Sequence, residues 1–161
     1  MNLLIIGAGA AGLFAAVTAA RENLSVTVVD KNRTPGRKLR ITGKGRCNVT
    51  NNCTKEEFFD SITITNSAKF LYSAYNNFTA QDTMKFFEDL GVSLKTERGN
   101  RVFPESDSAH DIADALVNEC KRLGVRILEF NVKKILFDND RVTGVTDGER
   151  EIYADNILLA T

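Results

Sequence analysis

Apolar and polar positions change period twice within the first thirty residues. Leu3-Leu4-Ile5-Ile6 is a short apolar run with β-branched content, closed at once by Gly7, which is the pattern of a buried strand. Ala10 to Arg21 is rich in small residues and reads as a helix, and Ser25 to Val29 is a second β-branched run ending at Asp30. Strand, glycine turn, helix and strand predict a βαβ unit, which is right-handed in nearly all cases. The pattern then breaks. Lys31 to Thr54, with Pro35, Gly36, Gly43 and Gly45, reads as a long loop with one helical turn around Arg37 to Arg40.

Residues 55–90 read as two or three helices. Thr79-x-x-Asp82 forms a capping box before the last of them, and Gly91 ends it. Short strands near Val92–Glu97 and Arg101–Phe103 flank a turn at Arg98-Gly99-Asn100, and Ile112, Leu116 and Cys120 place 109–123 on a helix. Val125–Glu129, Val132–Phe137, Arg141–Thr146 and Glu151–Tyr153 are strand-like. Hairpin signals at Asp138-Asn139-Asp140 and Asp147-Gly148-Glu149 predict an antiparallel meander from them. Asn156 to Ala160 is one more apolar strand. The expectation is an α/β, Rossmann-like FAD/NAD(P)-binding fold: a parallel sheet with helices plus an antiparallel β-meander, with residues 1–161 in a single domain.

Composition narrows the function classes. Apolar residues make up 43% and charged residues 26%, ordinary globular values that exclude a disordered or collagenous chain. Twenty-one basic residues balance 21 acidic ones, which argues against wholesale nucleic-acid binding. Leu3 to Ala20 carries no charge and touches the length of a membrane helix, but three glycines interrupt it and no Lys or Arg precedes it. No membrane partner and a cytoplasmic location are expected. Three cysteines without a CxxC spacing, and His110 as the one histidine, argue against a disulfide scaffold or a metal site.

Gly7-Ala8-Gly9-Ala10-Ala11-Gly12 fits G-x-G-x-x-G between a strand and a helix, and Asp30 follows 18 residues after Gly12 at a strand end. The first glycine allows the tight turn, the second a close approach to a pyrophosphate, and the third close helix–strand packing. The helix N-terminus presents unpaired N–H groups to the phosphates. Asp30 is placed to accept hydrogen bonds from a ribose hydroxyl, and an acid there disfavours a 2′-phosphate. The alternative is that these glycines serve packing alone.

Lys31, Arg33, Arg37, Lys38, Arg40, Lys44 and Arg46 give the following loop seven cations and no acid. Three readings stay open: phosphate and ribose contact, nucleic-acid or membrane-surface binding, and a solvated loop.

Gly36-Arg37-Lys38-Leu39, then Ile41 through Asn51 (Ile-Thr-Gly-Lys-Gly-Arg-Cys-Asn-Val-Thr-Asn), closely resembles a signature of the BaiN-like or YhiN-like NAD(P)/FAD-dependent flavoprotein oxidoreductases. Gly99 to Pro104 with Ser106 resembles that family's G-R-[VM]-F-P-x-S stretch, with Asn100 as an insertion-like departure. Leu159-Ala160-Thr161 resembles the start of its A-T-G motif. The resemblance implies a glutathione-reductase-type FAD domain and hydride transfer between NADH or NADPH and FAD, then onward to a small-molecule substrate. It implies that Gly7, Gly9, Ala10, Ala11 and Gly12 contact the FAD pyrophosphate and that Asp30 binds the ribose. Lys31, Arg37 and Lys38 would flank ribose and phosphates, and Gly43, Gly45, Arg46, Cys47 and Asn48 would run toward the flavin. Val132 would reach the adenine through its backbone, and Ala160 and Thr161 would complete the cofactor set. It names no catalytic residue. Family members are much longer, so the chain is expected to be the N-terminal part of such a domain, inactive alone. A non-catalytic module that binds or senses NAD is the alternative.

Cys47, beside Arg46, is either a reactive thiol or a small residue packed in a tight loop. Cys120 falls on an apolar helix face, Cys53 is a loop thiol, and His110 reads as a surface residue. Phe58, Phe59, Phe70, Tyr72, Tyr75 and Phe78 suggest core, or a surface covered by another part of the protein.

Overall fold

The β-branched runs of the first thirty residues pair side by side. In this computed structural model, which describes residues 1–62 and 65–161, β1 (Asn2–Ile6) and β2 (Ser25–Asp30) are parallel neighbours joined by α1 (Ala10–Arg21). Segments 1–41 and 113–161 build one compact unit, and segment 42–112 builds a second.

In the first unit the parallel sheet has four strands. β1 lies between β2 and the last strand of the chain, and β2 pairs on its far side with a strand at Arg126–Glu129. In-register pairs show how the pleat divides the apolar residues. Ile5 lies opposite Val28 on the face toward α1, whereas Leu4, Ile6, Val29 and Leu128 point to the other face. Gly12 sits against that first face, and a Cβ on it would fall 3.4 Å from the Ile5 side chain.

A long helix also packs beside α1. Its Cys120 thiol reaches the Leu13 carbonyl, and its buried Glu119 pairs with Arg21 of α1 and with Arg122. The opposite face is covered by an antiparallel three-stranded meander, Lys134–Asp138, Arg141–Thr146 and Glu151–Tyr153. Val145 and Ile152 of the meander, with Phe130, join Leu4, Ile6 and Val29 in one apolar cluster. The first of the four strand-like runs expected in the meander therefore belongs elsewhere: Arg126–Glu129 extends the parallel sheet. Four residues of alternating character fit either partner, and the partner it takes lies about a hundred residues away in sequence.

The second unit follows its local sequence closely. The loop 31–54 carries a short helix, α2 (Arg37–Ile41), in the first unit, then a 3-10 turn at Thr42–Gly45 and strand β3 (Thr50–Asn51) in the second. α3 (Lys55–Asp60), α4 (Thr65–Asn77) and α5 (Ala80–Asp89) account for the expected helices; that stretch crosses residues 63 and 64, which lie outside the described residues. Thr79 and Asp82 form the reciprocal capping box at α5. Thr54 and Glu57 form another at α3, which the sequence reading missed.

β4 (Leu94–Glu97) and β5 (Arg101–Pro104) make a hairpin whose tip, Gly99-Asn100, has positive φ at both residues, and β3 adds to β5. The helix near 109–123 is α6 (Ala109–Arg122). The remaining strands are β6 (Arg126–Glu129), β7 to β9 (the meander) and β10 (Asn156–Leu159). Tyr75 is buried and stacked on Phe58, Tyr72 is stacked on Phe59, and Phe70 is exposed. Among the described residues no helix is long and apolar enough to cross a membrane.

Candidate functional site

The carboxyl ends of β1, β2 and β10 open on a cavity of about 600 Å³ within the first unit. Gly7, Ala8, Gly9, Asp30, Lys31, Asn32, Arg37, Lys38, Val132, Ala160 and Thr161 line it, so eleven positions drawn from five separate stretches of sequence converge there. A crevice beyond the carboxyl ends of parallel strands is where open α/β sheets bind ligands.

The glycines do different work, and Gly7 and Gly12 serve the turn and the close helix–strand packing that their spacing implies. A Cβ on Gly12 would lie 1.8 Å from the Gly7 carbonyl oxygen, so no side chain fits between turn and helix. A Cβ on Gly7, whose φ is +112°, would lie 2.5 Å from the Ala160 carbonyl oxygen, so β10 and the turn touch through bare backbone. Gly9 differs from both: a Cβ there would meet nothing within 4 Å. Packing leaves Gly9 unconstrained, and the space beside it belongs to the cavity.

Gly9 is also the N-cap of α1, with extended backbone (φ −81°) and no side chain capping the helix. The first turn carries no acid. A helix N-terminus without a cap or a carboxylate keeps its orphan N–H groups and its partial positive charge for an outside anion. Ala10 and Ala11, exposed in that first turn, belong to this end of the helix.

The turn is braced from the next loop. The Gly36 N–H donates to the Ala8 carbonyl at 2.7 Å, and the Ala8 N–H donates to Asp30 Oδ2 at 2.8 Å. Asp30 Oδ1 accepts both the main-chain N–H and the side-chain amide of Asn32, each at 2.8 Å. Asn32 Oδ1 accepts from Arg37 Nη1 at 3.2 Å. Burial works against an ionised Asp30, but the donors from Asn32 and Ala8 and the neighbouring Lys31 outweigh it and hold the carboxyl below its usual range.

The basic loop is less uniform than its composition. Arg40 is tied to Asp114 at 2.7 Å. Arg46 is clamped by Glu97 and Asp107 of the second unit and lies 4.2 Å over the Phe103 ring. Lys95 reaches the same Asp107 at 2.8 Å. Arg46 holds Glu97 below the usual carboxylate range; Lys95, then Arg46, does the same for Asp107. Among the described residues no carboxylate lies within ion-pair distance of Lys31, Arg37 or Lys38, the three cations on the cavity.

Gly43, Gly45, Arg46, Cys47 and Asn48 all lie in the second unit. Gly43, Lys44, Gly45 and Cys47 have φ between +57° and +85°, which makes a tightly coiled loop. The Cys47 thiol is buried, and burial pushes its pKa up, against the reactive-thiol alternative. The sequence reading missed several cavity residues, Thr34, Gly36, Phe130 and Asn131 among them, and the one that bonds Asp30 is Asn32. An Asx-turn pattern, an acid followed two residues later by an amide, was the available signal.

Comparison with known proteins places these features in a family. The HI0933-like protein Rossmann domain matches residues 1–161. The 3-dehydro-bile acid delta(4,6)-reductase of Clostridium scindens is 31% identical over 97% of this chain and 37% of its own length. The ribosomal RNA dihydrouridine synthase of Escherichia coli is 34% identical over 75% of this chain and 29% of its own length. The chain thus spans about a third of the curated relatives it matches. Among solved structures, Thermovibrio ammonificans THI4 superposes with a TM-score of 0.68 at 13% identity, covering 99% of this chain and 57% of that one. The 3-ketosteroid-delta4-(5alpha)-dehydrogenase of Rhodococcus jostii gives 0.64 at 16%, covering 99% and 45%. These two share the fold.

Proposed function

The chain belongs to the HI0933-like Rossmann-domain family, and from that premise we propose that it is the FAD-binding portion of a flavin-dependent oxidoreductase. The observation that carries this reading is the uncapped N-terminus of α1 beside a glycine whose missing side chain leaves open cavity. Held by these residues, FAD would supply two-electron hydride chemistry between NADH or NADPH and a small-molecule acceptor.

The chain's own residues fit the adenine half of that cofactor. Gly9 and the first turn of α1 bind the diphosphate, and Lys31, Arg37 and Lys38 balance its charge. Asp30 receives the ribose, Val132 offers backbone to the adenine, and Ala160 and Thr161 close the wall beside Gly7. The expected flavin-side residues Gly43, Gly45, Arg46, Cys47 and Asn48 belong to the second unit, and the proposal for the first unit does not depend on them.

Titration with ADP, FAD, NAD and FMN tests this. The ADP-containing ligands are expected to bind and FMN, which lacks the ADP half, is not. Tighter binding of NAD than of FAD would favour a nucleotide-sensing module instead. No binding of any ADP-containing ligand would remove the proposal.

The name of the Escherichia coli relative and the exposed Lys31, Arg33, Lys38 and Lys44 favour a second reading of the acceptor, a base in RNA. It requires RNA affinity that falls steeply with salt. Absence of RNA binding at any salt eliminates it.

A further inference from the structure

Asp30 faces the cavity with most of its accepting capacity already spent. A carboxylate offers about four lone-pair sites. Oδ1 receives two N–H groups, both from Asn32, and Oδ2 receives one, from Ala8. The Asn32 amide is fixed in this orientation by its neighbours: Arg37 only donates, to the oxygen, and Asp30 only accepts, from the nitrogen. Asn32 therefore stands between the one acid of the cavity and one of its cations, and it saturates the acid's Oδ1.

We infer that Asn32 is a specificity-determining residue of the nucleotide site, one that limits Asp30 to a single ribose hydroxyl, accepted at Oδ2, and that positions Arg37 on the rim. The inference rests on the nucleotide-binding reading and goes beyond it. A free carboxylate grips both hydroxyls of a ribose diol, whereas this one is built to discriminate between them. Asn32 acts through Asp30 and Arg37 and is a positioning residue in that sense. Its removal frees a site on Oδ1, so that both hydroxyls are read where one was.

Calorimetric titration of the chain with ADP, 2′-deoxy-ADP and 3′-deoxy-ADP tests it without any variant. One of the deoxy analogues is expected to bind roughly 10- to 100-fold more weakly than ADP, the loss of a hydrogen bond to a charged group, and the other within about threefold. Equal weakening of both analogues, or of neither, overturns the inference while ADP binding itself stands. Asn32→Ala opens a lone pair on Oδ1, so the analogue that was tolerated becomes discriminated as well. Unchanged selectivity in N32A overturns the assignment to Asn32. Failure of ADP to bind the wild-type chain sinks the nucleotide-site reading together with this one.

Discussion

Replacing Gly9 by Asp separates stability from binding, because the same vacancy serves both. Gly9 has an extended backbone that any residue adopts, and a Cβ there meets no atom within 4 Å. Giving up glycine's freedom in the unfolded chain is worth ~0.4–1 kcal/mol where the native angles suit the new residue. Capping an uncapped helix adds a few tenths over glycine. A carboxylate at a helix N-terminus that carries no acid adds ~0.3–1 kcal/mol. Gly9→Asp should therefore raise stability by about 1–2 kcal/mol, and each kcal/mol moves Tm by roughly 2–4 °C for a chain of this size.

Ligand binding moves the opposite way. The new carboxylate occupies the N–H groups proposed to bind the diphosphate. At ~4 Å and an effective dielectric of about 20 it repels a phosphate charge by ~4 kcal/mol, so ADP affinity falls by at least ~100-fold. Thermal unfolding followed by circular dichroism and calorimetric titration with ADP read the two effects. A variant that is more stable yet binds ADP as before would show that the ligand does not use this helix end. A large fall in Tm would show that the helix end is not free, and either result refutes the reasoning.

Other substitutions distinguish the remaining features. Gly12→Ala forces a Cβ to within 1.8 Å of the Gly7 carbonyl and is expected to cost ~3 kcal/mol or more, read as a large fall in the urea midpoint. Glu119, depressed from 4.5 to about 2 by Arg122, and by Arg21 against the cost of burial, contributes up to ~2–3 kcal/mol, its two guanidinium partners being partly wetted. That stability is complete above pH 4.5 and is lost as pH falls toward 2. Glu119→Gln should flatten the acid limb of a stability-versus-pH curve, and an unchanged limb would refute the assignment. With its thiol buried and its pKa raised, Cys47 should react with a thiol reagent only on unfolding, while half-buried Cys53 reacts in the native state.

The βαβ unit was legible because its information is local: an apolar run, a glycine turn and a second run lie within thirty residues, and α1 begins at Ala10 as read. Thr79 and Asp82 were legible for the same reason. What the sequence hid depends on distant partners. The pairing of Arg126–Glu129 with β2 cannot be told from a meander strand by four residues of pattern. Likewise, Arg40 and Arg46 look like free cations until Asp114, Glu97 and Asp107 arrive from segments more than fifty residues on. Asn32 resembles any turn residue until its amide is seen on Asp30.

The contact between Gly7 and Ala160 sets an order of events during biosynthesis. The glycine turn precedes by some 150 positions the residues that make its wall, so β1 waits for β10 until that later segment has been synthesised. Pairings of that span pay their loop-closure entropy late and slow folding. Until then β1 keeps one edge without its β10 partner and Leu4 and Ile6 lack part of their cover, the kind of unpaired strand edge that makes partly folded chains prone to aggregation.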